Sequence, residues 1–149
     1  MRYVATGASA DSDPSWANRV AEHRDRRPAS WSTVETGDVA AFLRDGPHSA
    51  TLVDDLGGWL TAALDRRGWE GGSVADDVDE LVAAVDGFTA PLALVSPEVG
   101  LTVVAATASA RRFTDELGTL NQRLAQRCEQ VVLVVAGLPV WVKPTKALN

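Results

Sequence analysis

Apolar positions along this chain fall in short bursts that alternate between a period of two and a period near 3.6, a pattern that predicts strands alternating with helices. Residues 3–5 form a β-rich run ending at Thr6-Gly7, and Asp13-Pro14 then supplies a cap and a first-turn proline for a helix over residues 15–24. Residues 50–53 run on to Asp54-Asp55, as expected of a buried parallel strand with carboxylates at its C-terminal end. Residues 56–67 and 74–85 carry helical spacing on either side of Gly68-Trp69-Glu70-Gly71-Gly72, and residues 92–95 predict another buried strand. A helix is expected over residues 114–127, with Leu117, Leu120, Leu124 and Cys128 on one inward stripe that makes Cys128 a core residue. Residues 130–136 and 138–142, parted by Gly137, predict an antiparallel hairpin at the end of the sheet, and residues 143–149 read as a frayed tail. Such alternation implies a three-layer α/β fold, whose ligand chemistry gathers at the carboxyl ends of the parallel strands.

Composition narrows this reading. With 149 residues and 46% apolar content the chain has the usual size of one domain, residues 1–149, and buries a core without disulfides. A net charge of -6 argues against nucleic acid or an anionic membrane held by the whole surface field, so any phosphate site has to be local. Cys128 is the single cysteine, and no Cys/His cluster has zinc-site spacing, which points to a cytoplasmic protein. No segment approaches the roughly 20 apolar residues of a membrane span. Five tryptophans, Trp16, Trp31, Trp59, Trp69 and Trp141, read as packing residues before a base-stacking platform.

Taken singly, the polar candidates are ambiguous. His23 followed by Arg24, Asp25, Arg26 and Arg27 is either a solvated basic helix terminus or a set of phosphate-holding cations beside an imidazole. Asp54 is equally a helix cap and a carboxylate able to orient Mg²⁺ or its water shell. Gly100 reads as relief of backbone strain, and Asn121-Gln122 as a local cap, as well as parts of a site.

Several stretches in order change the weighing. Tyr3-Val4-Ala5-Thr6 is followed by Arg19-Val20-Ala21-Glu22-His23-Arg24-Asp25-Arg26-Arg27-Pro28, with Trp31 and Glu35. Glu98-Val99-Gly100, Arg112-Phe113 and Gly118-Thr119-Leu120-Asn121-Gln122-Arg123-Leu124-Ala125 come later, and Asp54 stands between the two groups. This set resembles the adenosylcobinamide kinase/adenosylcobinamide-phosphate guanylyltransferase family nearly end to end. The resemblance implies phosphorylation of adenosylcobinamide with GTP or ATP, then transfer of GMP from GTP to that phosphate through a guanylylated histidine, here His23. It further implies that Ala5, Thr6, Gly7, Arg24, Asp25, Arg26, Arg27, Glu35 and Asp54 surround the nucleotide, that Asp54 serves Mg²⁺, and that Glu98 and Asn121 lie on a substrate or metal rim. A homo-oligomer, a trimer by resemblance, is expected.

The fold implied is a phosphate-loop NTPase-like, RecA-like sheet, but the match starts at what would be the second strand. A first strand and a loop of the form G-x-x-x-x-G-K-[ST] are not found here, which implies a poor kinase and leaves as alternative a truncated relative acting as a corrinoid-binding or assembly module. Leu101-Thr102-Val103-Val104-Ala105 replaces the family's glycine and Val-Pro pair, Thr114 replaces an arginine, and Asp55 a frequent cysteine.

Overall fold

The computed structural model describes residues 1–7, 21–101 and 105–144, arranged as two compact units, Met1–Pro97 and Glu98–Asn149. The expected cap at Asp13-Pro14 and the first part of the helix over 15–24 lie outside the described residues, while residues 21–25 are helical.

In the first unit, strands β1 (Arg2–Ala5), β2 (Ser32–Glu35), β3 (Thr51–Asp54) and β4 (Leu92–Leu94) form one parallel sheet in the order β2-β1-β3-β4. Val4 and Val53 on the inner strands are wholly buried, as continuous apolar runs require when a parallel sheet is covered on both faces. Among the described residues β4 pairs with β3 alone and is half-exposed, so the buried strand expected there is an edge strand of the described sheet. β2 was not anticipated. Its Ser-Thr-Val-Glu sequence has one partly buried apolar residue, and it is held by register with β1 (Val4 opposite Val34, Ala5 opposite Glu35), a long-range pairing that no local period announces.

Helices α1 (Val39–Asp45), α2 (Leu56–Arg67) and α3 (Ala75–Asp86) complete this unit. α1 was also unforeseen, being a single short element. It starts because Asp38 accepts a hydrogen bond from the Ala41 amide at 2.9 Å, and it packs against α3 through Val39, Ala40 and Leu43, all buried. α2 has the range expected from its pattern and ends at Gly68, whose φ of 86° is the left-handed conformation glycine adopts freely. Arg66 and Arg67 in its last turn reach Asp77 in the first turn of α3, at 3.5 and 2.9 Å, so the cations sit at the negative end of one helix dipole and the carboxylate at the positive end of the other. Leu43, Leu56, Leu60, Leu64 and Leu81 are the large, fully buried side chains of this core.

The second unit holds helix α4 (Ala108–Arg127) and strands β5 (Val131–Val135) and β6 (Leu138–Lys143). α4 starts well before residue 114 because Thr107 accepts from the Ala110 amide at 3.1 Å, and Ala-Ser-Ala continues the helix from that cap. Leu117, Leu120 and Leu124 are buried as the stripe predicted. Cys128 is only half-buried at the C-cap, where burial still pushes its thiol pKa upward.

β5 and β6 are an antiparallel hairpin turning at Ala136 and Gly137, both at positive φ as a tight two-residue turn requires. It forms a two-stranded sheet of its own, with Val134, Leu138 and Val142 more than 60% exposed. Lys143 is not frayed: its ammonium donates to the carbonyls of Ala125 (3.0 Å), Gln126 (3.3 Å) and Cys128 (2.5 Å), neutralising the C-terminal end of α4. Residues 145–149 of the expected tail lie outside the described residues.

Candidate active site at the strand ends

The chain runs from β1 outward to β2, then back across β1 to β3. Reversal of direction puts the two crossovers on opposite faces when both are right-handed, and it opens a crevice at the carboxyl ends of β1 and β3. Thr6-Gly7 and Asp54 stand at those ends, and Glu35 ends the neighbouring β2. The strand ends are held level: Ala5 lies opposite both Glu35 and Asp54, the Thr36 amide donates to the Ala5 carbonyl, and the Thr6 amide donates to the Asp54 carbonyl, each at 3.1 Å. Thr6 is buried, and its hydroxyl donates to the Asp55 carbonyl. Gly58 in the first turn of α2 comes so close that an added Cβ would lie 3.3 Å from Thr6 Oγ1, which is why the helix can start against this loop. Asp55 is committed to the cap of α2, accepting from the Gly58 amide at 2.6 Å.

Beneath the rim sits a cluster centred on Tyr3, a residue to which the sequence assigned no role. Tyr3 lies opposite Leu52, so Asp54, two residues along β3, points to the same face of the sheet. The Tyr3 hydroxyl donates to Asp54 Oδ2. Over the Tyr3 ring lies the Arg27 guanidinium, 3.4 Å from the ring centroid, and the same arginine donates to Thr33 Oγ1 at 3.2 Å. Trp31 flanks the ring at 6.5 Å. Burial, then the Asp54 carboxylate, push the Tyr3 phenol up to about 12, while Arg27 pulls the other way. The signal available in advance was a lone tyrosine in a buried strand, whose hydroxyl has to find a partner.

His23 is exposed on the helical segment 21–25. The next residue, Arg24, reaches Glu35 Oε1 at 3.1 Å and so ties the segment to the end of β2. Asp25 and Arg26 are exposed at the end of the same turn, and the Arg27 amide closes it on the Arg24 carbonyl at 3.1 Å. The structure thus gathers Ala5, Thr6, Gly7, Arg24, Arg27, Glu35 and Asp54 at one end of the sheet, with His23 next to the Arg24 anchor. Glu98 and Asn121 belong to the second unit. Glu98 Oε1 accepts from the Gly100 amide at 2.6 Å, and Asn121 is half-buried on α4.

Among the described residues no group of three or more Asp, Glu, His or Cys side chains could by itself cage a metal ion. Asp54 keeps Oδ1 outside the Tyr3 hydrogen bond, and that donor set fits Mg²⁺ bound chiefly by phosphate and water oxygens with one protein carboxylate. A separate cavity of about 390 Å³, lined by Gly37, Asp38, Ala40, Trp59, Arg66, Asp77 and Glu80, has its principal charges already paired, Arg66 with Asp77 and Glu80 with Arg44. No described helix is long and apolar enough to cross a membrane.

A parallel sheet flanked by helices, with a carboxylate at the end of a strand beside its switch point, defines an α/β protein compatible with a phosphate-loop-like domain. A sequence model of the family "Cobinamide kinase / cobinamide phosphate guanyltransferase" matches residues 1–142, and the chain belongs to that family. The bifunctional adenosylcobalamin biosynthesis protein CobP of Pseudomonas aeruginosa is 39% identical over 149 residues, covering 96% of this chain and 82% of the relative. The bifunctional adenosylcobalamin biosynthesis proteins CobU of Salmonella typhimurium and Escherichia coli are 33% and 30% identical, each over 95% of this chain and 84% of the relative.

Proposed function

We propose that this chain is a cobalamin-biosynthesis transferase that carries GMP from GTP to adenosylcobinamide phosphate through a covalent intermediate on His23. An imidazole nitrogen of His23 attacks the α-phosphorus of GTP, the bond to pyrophosphate breaks, and pyrophosphate leaves. A phosphate oxygen of adenosylcobinamide phosphate then attacks the same phosphorus, the N–P bond breaks, and the imidazole returns. Phosphorylation of adenosylcobinamide by GTP or ATP is the companion step, proposed on family membership alone.

The observation that carries the reading is the Arg24–Glu35 ion pair, which fixes the histidine-bearing turn against the end of the sheet where Thr6, Gly7 and Asp54 stand. In this reading Arg24, Asp25, Arg26 and Arg27 frame the triphosphate, and cations there stabilise charge developing at the transferred phosphoryl group. Glu35 and residues 5–7 border the nucleotide. Mg²⁺, when bound with GTP, supplies charge neutralisation at the phosphates, and Asp54 is the residue that would hold it. Glu98 and Asn121 are proposed to face the corrinoid. The relatives are named as bifunctional biosynthesis proteins, which does not favour a non-catalytic module. The exposed apolar residues of the β5–β6 hairpin support association of several copies.

Intact mass after incubation with GTP and Mg²⁺, beside His23→Ala, tests the reading. A GMP adduct on the parent and none on the variant supports it. An unmodified parent, or an adduct that persists in the variant, overturns it.

A further inference from the structure

One residue at this end of the sheet has no place in the scheme above and yet touches two that do. Tyr3 is the sole tyrosine of the chain and is 6% exposed. Its two chemical faces are used separately: the hydroxyl donates to Asp54 Oδ2, and the ring face carries the Arg27 guanidinium. Arg27 is tied on its far side to Thr33, on β2, and Asp54 closes β3, so the phenol bridges strands on both sides of β1.

We propose that Tyr3 is the positioning residue of the nucleotide site, setting the separation between the Arg27 cation and the Asp54 carboxylate through one rigid ring. This inference rests on the reading of the site as a GTP-using one and deepens it. A tyrosine suits the task because two side-chain torsions fix both functional ends at once. The ring holds a delocalised guanidinium by its face, where the planar group stacks and keeps its outward N–H donors for phosphate oxygens. The hydroxyl fixes one carboxylate oxygen and leaves the other for the bound ion. A phenylalanine at this position would keep the first contact and lose the second, whereas a leucine would lose both.

The prediction that separates positioning from simple packing is therefore a split. Tyr3→Phe should bind GTP in EDTA within about twofold of the parent, because the Arg27 contact survives. In Mg²⁺ it should bind GTP about tenfold more weakly, the size expected for losing a hydrogen bond to a charged group. Tyr3→Leu should lose affinity under both conditions.

The experiment is equilibrium binding of GTP to the parent, Tyr3→Phe and Tyr3→Leu chains, each in Mg²⁺ and in EDTA, with circular dichroism to confirm folding and intact mass to score the adduct. A Mg²⁺-specific loss in Tyr3→Phe establishes the proposal. Equal affinities in Tyr3→Phe and parent under both conditions overturn it, as does an equal loss under both conditions in a folded Tyr3→Phe chain. Should the leucine variant unfold, the phenylalanine comparison decides alone. A parent that binds GTP with the predicted split but forms no adduct sinks the His23 mechanism and leaves the Tyr3 assignment standing, whereas a parent that binds no GTP overturns both.

Discussion

Arg24 and Glu35 meet at 3.1 Å with more than half of each side chain in solvent. Exposed pairs of this kind contribute only about 0–1 kcal/mol to stability, because water screens the charges and two long side chains lose freedom. Arg24→Ala and Glu35→Ala should therefore leave the urea midpoint nearly unchanged. Arg24→Ala should still slow formation of the His23–GMP adduct by about tenfold or more, through loss of the anchor for the histidine turn and of a cation at the phosphates, and Glu35→Ala should slow it less, through loss of the anchor alone. Single-turnover quench kinetics beside denaturation curves give both numbers. A large stability loss with normal adduct formation would mean that the pair is structural only.

Titration of the phenol supplies a second prediction. Tyr3 has a folded-state pKa of about 12 against an ordinary 10.0, so the proton is held more tightly in the folded chain. Its contribution to stability is fully present below pH 10 and is lost as pH rises from about 10 to about 12. Because the chain has one tyrosine, phenolate absorbance reads this group directly. Asp54→Asn should lower the apparent value without bringing it to the ordinary one, since burial is the larger cause and remains.

The fold was legible where its pattern is local. α2 and the Leu117–Leu120–Leu124 stripe follow from apolar spacing, and the hairpin follows from Gly137 between two β-rich runs. β2 and α1 were not legible. β2 exists through register with β1 and α1 largely through burial against α3, contacts that join residues far apart in sequence, while the only local mark of α1 is the Asp38 cap. The site divides the same way: His23, the arginines, Glu35 and Asp54 were picked out by family resemblance, and the structure ties Arg24 to Glu35 and sets Arg27 and Asp54 on either side of Tyr3, with His23 exposed on the turn that Arg24 anchors. Tyr3 stood in the first stretch that carries the resemblance, but its residue type and position assigned it no role, because its partners Asp54 and Arg27 lie far from it in sequence.

Lys143 gives a stability test in the second unit. Its ammonium holds three terminal carbonyls of α4 and its flank, so Lys143→Gln should destabilise by about 1 kcal/mol through the lost charge at the helix C-terminus. Chemical denaturation should show an earlier midpoint, and a midpoint equal to that of the parent would mean that the contact contributes nothing.

Leu60 is fully buried in α2, and Leu60→Ala should cost about 2–5 kcal/mol from lost burial and the cavity left behind. Differential scanning calorimetry of the variant should show a markedly lower Tm. A shift of only a degree or two would indicate that the core collapses around the smaller side chain.

The most direct test of the account is a chase of the isolated intermediate. Protein guanylylated with GTP, freed of nucleotide and mixed with adenosylcobinamide phosphate, should return to its unmodified mass while GMP appears on the corrinoid, with peptide mapping placing the original adduct on His23. An adduct that survives the chase, or one that maps to any other residue, would contradict transfer through His23.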